Sequence, residues 1–462
     1  MSRRREERQV CTDEEYDDLI KPIMIATKFV CFWPLNRDHS TSAERFRTCH
    51  LLLTFFVIIT TYVGQTSDMV YNFNDLDELT VSGLMCIAFF LAIIRLIVYS
   101  SHQKDMLYVV ETMRKDWTCS SYEDRVILRE KCLFAFRLAK TFVIMVTATV
   151  TSMACISILE VYILEKERVL PYRGYFFFNQ TISPAFEYIY IFNLIGGCFG
   201  GGTIIGATSF NLIAITHGSA KFAMLRKKLE AMDSNDPDAD RAMVNCIKDH
   251  QDAITFADTL ERIINILTLG QFVVSTGLVC FAGFQITAML ENKGRLVIYT
   301  MFLQSTILEL FMFSFSGNAL IDEAIHSSLS SQSPVINLRP TLVTNQSDAV
   351  GHSAYCSYWI GGTFSRSLQI VMMRSKVPSR ITAAKFYSMS LESFSQLDVA
   401  SCPKSLLPNP NRNYHLAFYG TPCTHNSPAI RGALFSVLMS SGARNRVNVQ
   451  AKWHGEFSRG TH

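Results

Sequence analysis

Two ionisable side chains lie inside otherwise apolar stretches of the sequence. Arg95 is near the end of the run 78–99, and Glu309 is deep within 296–316. Charged residues in such runs usually face protein or water, where they carry ions or pair helices. We interpret Arg95 as an interfacial anchor whose long side chain reaches the membrane surface. For Glu309 we favour helix pairing over an ion pathway.

Other patterns that could perform chemistry have simpler explanations. The run GGCFGGGTIIG lacks the GK[ST] of a phosphate-binding loop, so we interpret Gly196, Gly200, Gly202 and Gly206 as helix-packing positions. His250 stands in polar helical sequence rather than in a pocket. The sequence has no G-x-S-x-G, H-E-x-x-H or paired CxxC motif. We therefore expect no enzyme, no cofactor and no metal site.

Composition indicates a membrane environment. Of 462 residues, 49% are hydrophobic and 18% are charged, which departs from the soluble average. The 13 cysteines are scattered, and those inside apolar runs are expected to be buried small hydrophobes; they include Cys86, Cys155, Cys198 and Cys280. The cations sit in particular loops rather than in a basic stripe, so membrane lipid is an expected partner and nucleic acid is not.

Six apolar runs are long enough to cross a bilayer, which takes about 20 residues. They are 48–67, 78–99, 141–163, 188–213, 263–289 and 296–316. Lys and Arg are concentrated in the N-terminal segment and in the second and fourth connections, whereas the first connection has none. Because cytoplasmic loops carry the cations, we expect a cytoplasmic N-terminus. Asn179, in an N-x-[ST] triplet of the third connection, is then an external glycosylation site.

Aromatic residues crowd the third connection and the start of the fourth span. The stretch FFFNQTISPAFEYIYIFNL can line a cleft between helices for a small apolar ligand. The same pattern is typical of an interfacial aromatic belt formed by Tyr172, Tyr175, Phe176, Phe177 and Phe178. The sequence leaves both interpretations open.

Several stretches, in order along the chain, resemble the insect odorant receptors, of hymenopteran type. They are LPYRGYFFFNQTISPAFEYIYIF, CIKDHQDAITFADTLERIINILTLGQFVVSTGLVCFAGFQ, LQSTILELFMFSFSGNALIDE and AYCSYWIGGTFSRSLQIVMMRSKVPSRITAAKFYSMSLESFS. The resemblance covers about 1–323 and 347–395. It implies an all-α polytopic membrane helical bundle with a cytoplasmic N-terminus and seven spans.

The resemblance also carries functional expectations. It implies a subunit of an odorant-gated cation channel, assembled as a hetero-tetramer with a common co-receptor in the plasma membrane of olfactory sensory neurons. The seventh span lines the pore, cytoplasmic helices form an anchor, and the odorant binds among the outer halves of the other spans. The candidate ligand contacts in this chain are Phe89, Met153, Ile156, Tyr190, Asn193, Tyr299 and Phe302.

Two segments depart from the family pattern. Residues 324–346, between a six-span domain (1–323) and anchor helices (347–395), are Ser- and Pro-rich and are expected to be a foreign, disordered insertion. Residues 396–462 are interrupted by prolines and have no apolar run of about 20 residues, so the seventh span is expected to be missing. We favour a gene-prediction or splicing artefact over a real truncated isoform. This chain is expected to be retained in the endoplasmic reticulum.

A different class of protein remains as an alternative. The chain could be a membrane receptor or transporter for small apolar ligands that forms no pore itself. A transporter would show an inverted repeat with interrupted helices in matching positions, and the sequence has none. The expected orientation is opposite to that of a G-protein-coupled receptor.

Overall fold

The computed structural model describes residues 13–36, 40–163, 168, 170–175, 180, 182–233, 236–288, 293–329, 365–375, 382–383 and 387–388. The chain divides into two units, Met1–Phe394 and Ser395–His462. Every described residue belongs to the first unit. Asn179 and the predicted non-family tail at 396–462 lie outside the described residues, so both stay predictions.

Long helices account for almost all of the described chain. They are α1 (Asp13–Phe29), α2 (Thr41–Tyr71), α3 (Leu76–Ser101), α4 (Gln103–Cys119), α5 (Tyr122–Tyr162), α6 (Ala185–Glu230), α7 (Ala239–Ala288), α8 (Lys293–Leu329) and α9 (Ser365–Ser375). Two short strands, β1 (Thr382–Ala383) and β2 (Tyr387–Ser388), pair antiparallel. Because α8 continues to Leu329, the first residues of the segment expected to be disordered are helical.

The six expected spans are confirmed. Within the described residues, six helical segments are long and apolar enough to cross a membrane: Thr41–Tyr71, Glu78–Ser101, Tyr122–Val161, Ala185–Glu230, Ala239–Thr287 and Gly294–Phe315. At 1.5 Å per residue, α5, α6 and α7 are much longer than the roughly 30 Å hydrocarbon core. Their surplus turns lie on the side that the loop charges assign to the cytoplasm.

Helix α6 is the centre of the bundle and packs against α1, α2, α3, α5, α7 and α8. Its glycines permit this, because a side chain at each one would press on a neighbour. A Cβ at Gly200 would lie 3.0 Å from the Phe89 ring, one at Gly202 3.0 Å from Val30, and one at Gly196 would overlap Thr61. The packing interpretation of the glycine-rich run is confirmed.

The cytoplasmic extensions share a hydrophobic core. It contains Phe222, Leu225 and Leu229 of α6, Met243, Cys246 and Ala253 of α7, and Leu368 and Val371 of α9. Helix α9 comes from the segment expected to form the anchor, 347–395, and it packs against α7. The long helices and the anchor segment therefore form one packed unit below the membrane.

The cysteine prediction holds only in part. Cys86 is buried and Cys280 is partly buried, but Cys155 and Cys198 are exposed on the surface of the protein. An apolar residue in a bilayer can face lipid, so it does not need the protein interior. All four thiols are free.

Candidate functional site

The segment that precedes α6 on the outer side enters the bundle. Tyr172 is only 4% exposed. Its backbone N–H donates to Asn193 Oδ1 at 2.9 Å, and its carbonyl accepts from Asn193 Nδ2 at 2.8 Å. One buried amide of α6 thus satisfies both backbone groups of a residue outside any helix, which buried backbone requires.

Helix α6 makes room for the Tyr172 ring. A Cβ at Gly197 would overlap that ring, so only glycine fits this position. On the other side the Phe89 ring of α3 meets Tyr172 edge-on, with ring centroids 6.1 Å apart. The structure therefore brings Phe89 and Asn193, two of the predicted ligand contacts, together through Tyr172. The belt interpretation is wrong for Tyr172, because its ring is inside the bundle.

Unpartnered polar atoms mark this outer cluster. The Tyr172 hydroxyl and both side-chain amide atoms of Gln65 on α2 are buried without a hydrogen-bond partner among the described residues. Gln65 follows Gly64, whose carbonyl accepts from the Tyr175 N–H at 3.0 Å. Buried polar atoms normally have partners. Burial also raises the pKa of Tyr172, so its neutral hydroxyl can donate or accept a hydrogen bond.

Contacts at the outer membrane surface fix the position of the segment that precedes α6. Arg173 forms an ion pair with Glu78 at the start of α3. The Tyr175 ring stacks on Tyr71 of α2 with centroids 4.6 Å apart. Arg295 at the start of α8 pairs with Glu160 of α5 at 3.5 Å. Charged and aromatic contacts thus join this segment to α2 and α3, and α5 to α8, at the outer side.

The other predicted ligand contacts lie on α5, α6 and α8. Tyr190 is half-buried, and its hydroxyl donates to the Ala154 carbonyl at 2.8 Å, which ties α6 to α5. Met153 and Tyr299 are buried, whereas Ile156 and Phe302 are half-buried. The helices α5 and α8 pack together. The assignment of these five side chains to the same site as Tyr172 stays a prediction.

The intramembrane charges form a separate network on the cytoplasmic side of the cluster. Arg95 Nη2 donates to Glu309 Oε1 at 2.6 Å and also to Gln271, and Thr208 donates to the same Glu309 oxygen at 2.7 Å. Gln271 in turn donates to Ser275 at 2.7 Å. The interfacial interpretation of Arg95 is wrong: it is 2% exposed, because acceptors on two other helices meet it inside the bundle. Helix pairing by Glu309 is confirmed.

Polar residues also meet beneath the membrane. His217 Nε2 and Lys221 Nζ both contact Asp116 Oδ2, at 2.9 and 2.8 Å. Next to them is a polar cavity of about 270 Å³ that includes Asp116, Asp124, Lys221 and Lys228. These carboxylates and amines are paired with each other. In the described residues no group of three or more His, Cys, Asp or Glu could hold a metal ion.

His250 differs from its sequence-based interpretation. It is buried, and its Nε2 atom has no hydrogen-bond partner among the described residues. Burial, with a smaller effect from Arg374, lowers the pKa of His250 to about 4. The helix is polar on one side only, and His250 is on the side that packs inward. Within the described ranges, no nucleophile or second acid is paired with it.

Sequence reasoning missed Tyr172 of the outer cluster and the buried Gln65 on α2. Gln65 stands in the first apolar run, where an amide is as unusual as a charge. Tyr172 lies in a connection, and no local pattern indicates that a connection re-enters a bundle. The adjacent glycines Gly196 and Gly197 are the sequence feature that could have indicated this re-entry, because they create a space that another side chain must fill.

These features define a polytopic helical membrane protein with a closed aromatic site near its outer surface. A profile of the 7tm Odorant receptor family matches residues 75–331 and 327–399. The chain belongs to the insect odorant receptor family and is therefore a multi-pass membrane receptor. It is 22% identical to odorant receptor 10 of Aedes albopictus over 76% of this chain and 87% of the relative.

Other comparisons agree. Odorant receptor 13a of Drosophila melanogaster is 22% identical, over 79% of this chain and 89% of that relative. The solved structure of olfactory receptor OR5 from Machilis hrabei is 14% identical, has a TM-score of 0.68, and aligns with 83% of this chain and 96% of its own. The same receptor in complex with eugenol has a TM-score of 0.67. These solved structures show the fold.

Proposed function

We propose that this chain is the ligand-binding subunit of an odorant-gated cation channel, formed as a hetero-tetramer with a common co-receptor in olfactory sensory neurons. Family membership supports odorant binding. The cytoplasmic core of α6, α7 and α9 offers a surface for the assembly, because it extends well beyond the bilayer. The proposal includes the division of the chain into a six-span membrane domain that ends at 323, anchor helices from 347 to 395, and a non-family tail after 395.

The observation that carries the ligand site is the outer cluster of Phe89, Tyr172 and Asn193. Ligand sites are mostly apolar and have a few polar groups that orient the ligand. Here Phe89 and the Tyr172 ring provide aromatic surface, and the Tyr172 hydroxyl and the Gln65 amide provide unused hydrogen-bonding atoms. The receptor similar in fold was solved with eugenol, and we propose that this chain likewise binds a small, mainly apolar odorant.

Ligand entry would exchange existing contacts rather than open a new space. The Asn193 bonds to Tyr172 are neutral hydrogen bonds, each contributing about 1 kcal/mol net. An odorant that offers one hydrogen-bonding group and one apolar face can replace part of that interaction. We place the remaining predicted contacts, Met153, Ile156, Tyr190, Tyr299 and Phe302, on the facing helices that enclose the odorant.

Ion conduction is tested with two versions of the chain. One is the chain as written, and the other lacks 324–346 and has a family-type apolar span after Ser395. Each is expressed with the co-receptor, and current is recorded during an odorant panel. If the seventh span lines the pore, the chain as written gives no odorant-evoked current and stays inside the cell, whereas the second version conducts. Equal currents from the two would contradict the predicted loss of the seventh span.

A further inference from the structure

The lipid-facing surface of α5 has a groove in its cytoplasmic half. The groove has a volume of about 630 Å³ and is lined by Val143, Ile144, Thr147, Ala148, Thr151 and Ser152. Ile144 is 60% exposed, and Thr147 and Thr151 are also exposed. Ala148, the smallest of the six side chains, is half-buried.

The groove is apolar in spite of its hydroxyl groups. Thr151 Oγ1 donates to the Thr147 carbonyl at 2.8 Å, and Ser152 Oγ donates to the Thr149 carbonyl at 2.9 Å. These hydroxyls are satisfied by the backbone of their own helix, which is the usual solution in a membrane.

Two cations stand directly below the groove on the same face of α5. Arg137 and Lys140 precede Ile144 by seven and four residues, spacings that repeat on one side of a helix. Both are exposed, and neither has an ion-pair partner among the described residues. Arg129, lower on the same helix, is by contrast paired with Glu15 at 3.0 Å.

The depth of these cations matches a lipid headgroup. The third apolar run begins at 141, so Arg137 and Lys140 lie at the boundary between hydrocarbon and water on the cytoplasmic side. The cytoplasmic leaflet contains the anionic lipids, and juxtamembrane Lys and Arg attract them. A groove that starts at this boundary and runs toward the bilayer centre has the direction of an acyl chain.

We propose that this face of α5 binds an anionic phospholipid of the cytoplasmic leaflet. The phosphate and the acidic headgroup contact Arg137 and Lys140, and one acyl chain lies in the groove over Ala148. Charge complementarity selects this occupant over a second copy of the chain or another transmembrane helix, because neither explains two unpaired cations at the headgroup level. The site is independent of the proposed channel function.

The test uses the full chain reconstituted into phosphatidylcholine vesicles. The probe is a small fraction of phosphatidylserine with a photoactivatable group in its acyl chain, and the comparison probe is phosphatidylcholine with the same acyl chain. After illumination, lipid adducts on the segment 137–152 are measured by mass spectrometry. We expect the anionic probe to label this segment about 25-fold more than the zwitterionic probe, since each of the two cations near an anionic surface contributes about fivefold.

Variants separate the site from general surface charge. R137Q/K140Q should reduce labelling by the anionic probe to that of the zwitterionic probe, and R137K/K140R should retain it. K28Q/R45Q, which removes two other exposed cytoplasmic-side cations, should leave it unchanged. Ala148→Phe fills the groove and should reduce labelling by both probes. Labelling by phosphatidylcholine reports whether each charge variant is folded.

Three results would overturn the proposal. The first is equal labelling of the parent chain by both probes. The second is an equal loss of anionic labelling in K28Q/R45Q and R137Q/K140Q. The third is the absence of lipid adducts on 137–152 with either probe.

Discussion

The outer and inner halves of the bundle handle buried polar groups in different ways. In the outer half, Tyr172 is held by two neutral hydrogen bonds from Asn193, and its own hydroxyl has no partner among the described residues. In the inner half, Glu309 accepts hydrogen bonds from Arg95 and Thr208, and Arg95 Nη1 lacks a hydrogen-bond partner within the part of the chain that the structure describes. The outer contacts cost little to exchange, whereas a buried ion pair costs several kcal/mol to break. The difference supports the proposal that the ligand binds in the outer half, and it shows that the inner half pairs helices.

The largest expected effect is in the inner half. Glu309→Gln leaves Arg95 as an uncompensated buried charge and should destabilise the protein by about 3–5 kcal/mol. The double variant R95M/E309M removes both charges and should recover most of that stability. R114Q, at the exposed Arg114–Asp17 pair, should change stability by less than about 1 kcal/mol. The measurement is thermal unfolding of the purified chain in detergent. Equal losses of thermal stability in E309Q and R95M/E309M would show that the uncompensated charge of Arg95 is not the cause of the destabilisation.

The next effect tests how tightly Tyr172 fits. Gly197→Ala places a methyl group against the Tyr172 ring and should cost about 1–3 kcal/mol through overpacking. Gly283→Ala is the control, because nothing lies within 4 Å of its Cβ position. It should be neutral or stabilising by up to about 1 kcal/mol through helix propensity. If thermal unfolding shifts equally in both variants, the Tyr172 ring is not seated against α6.

A smaller effect concerns His250 in the cytoplasmic extension of α7. Because its pKa is about 4 in the folded protein and about 6.5 when unfolded, the folded state binds fewer protons. The free energy of unfolding therefore has its full value above about pH 6.5, where His250 is neutral in both states. It decreases as the pH falls from 6.5 toward 4. The loss should be about 1–2 kcal/mol after discounting for partial solvent access. His250→Gln should show a smaller decrease in thermal stability between pH 7 and pH 5, and identical decreases would contradict the buried environment.

Much of the architecture could be predicted from the sequence because it rests on local patterns. Apolar runs of about 20 residues identify six spans, and the glycine positions identify α6 as the packing centre. The outer cluster could not be predicted in full, because Tyr172 reaches it through a connection without periodicity.

The location of Arg95 was predicted wrongly for a related reason. Its position in the span suggested the interface, whereas its partners Gln271 and Glu309 are 176 and 214 residues away in sequence.

The central claim is that the odorant binds at the outer cluster, and paired aromatic variants test it most directly. Tyr172→Phe removes only the buried hydroxyl, and Tyr188→Phe removes a hydroxyl from a residue that is 72% exposed. Phe89→Ala and Phe90→Ala form a second pair, since Phe89 is buried and its neighbour faces outward. Each is made in the version of the chain with a seventh span and expressed with the co-receptor, and odorant dose-response curves are recorded.

We expect Tyr172→Phe to raise the half-maximal odorant concentration about tenfold for odorants with a hydrogen-bonding group, which corresponds to one lost buried hydrogen bond. Phe89→Ala should reduce responses to all odorants in the panel, and Tyr188→Phe and Phe90→Ala should leave the curves unchanged. Unchanged curves for Tyr172→Phe and Phe89→Ala, at normal surface expression, would contradict a ligand site at the outer cluster.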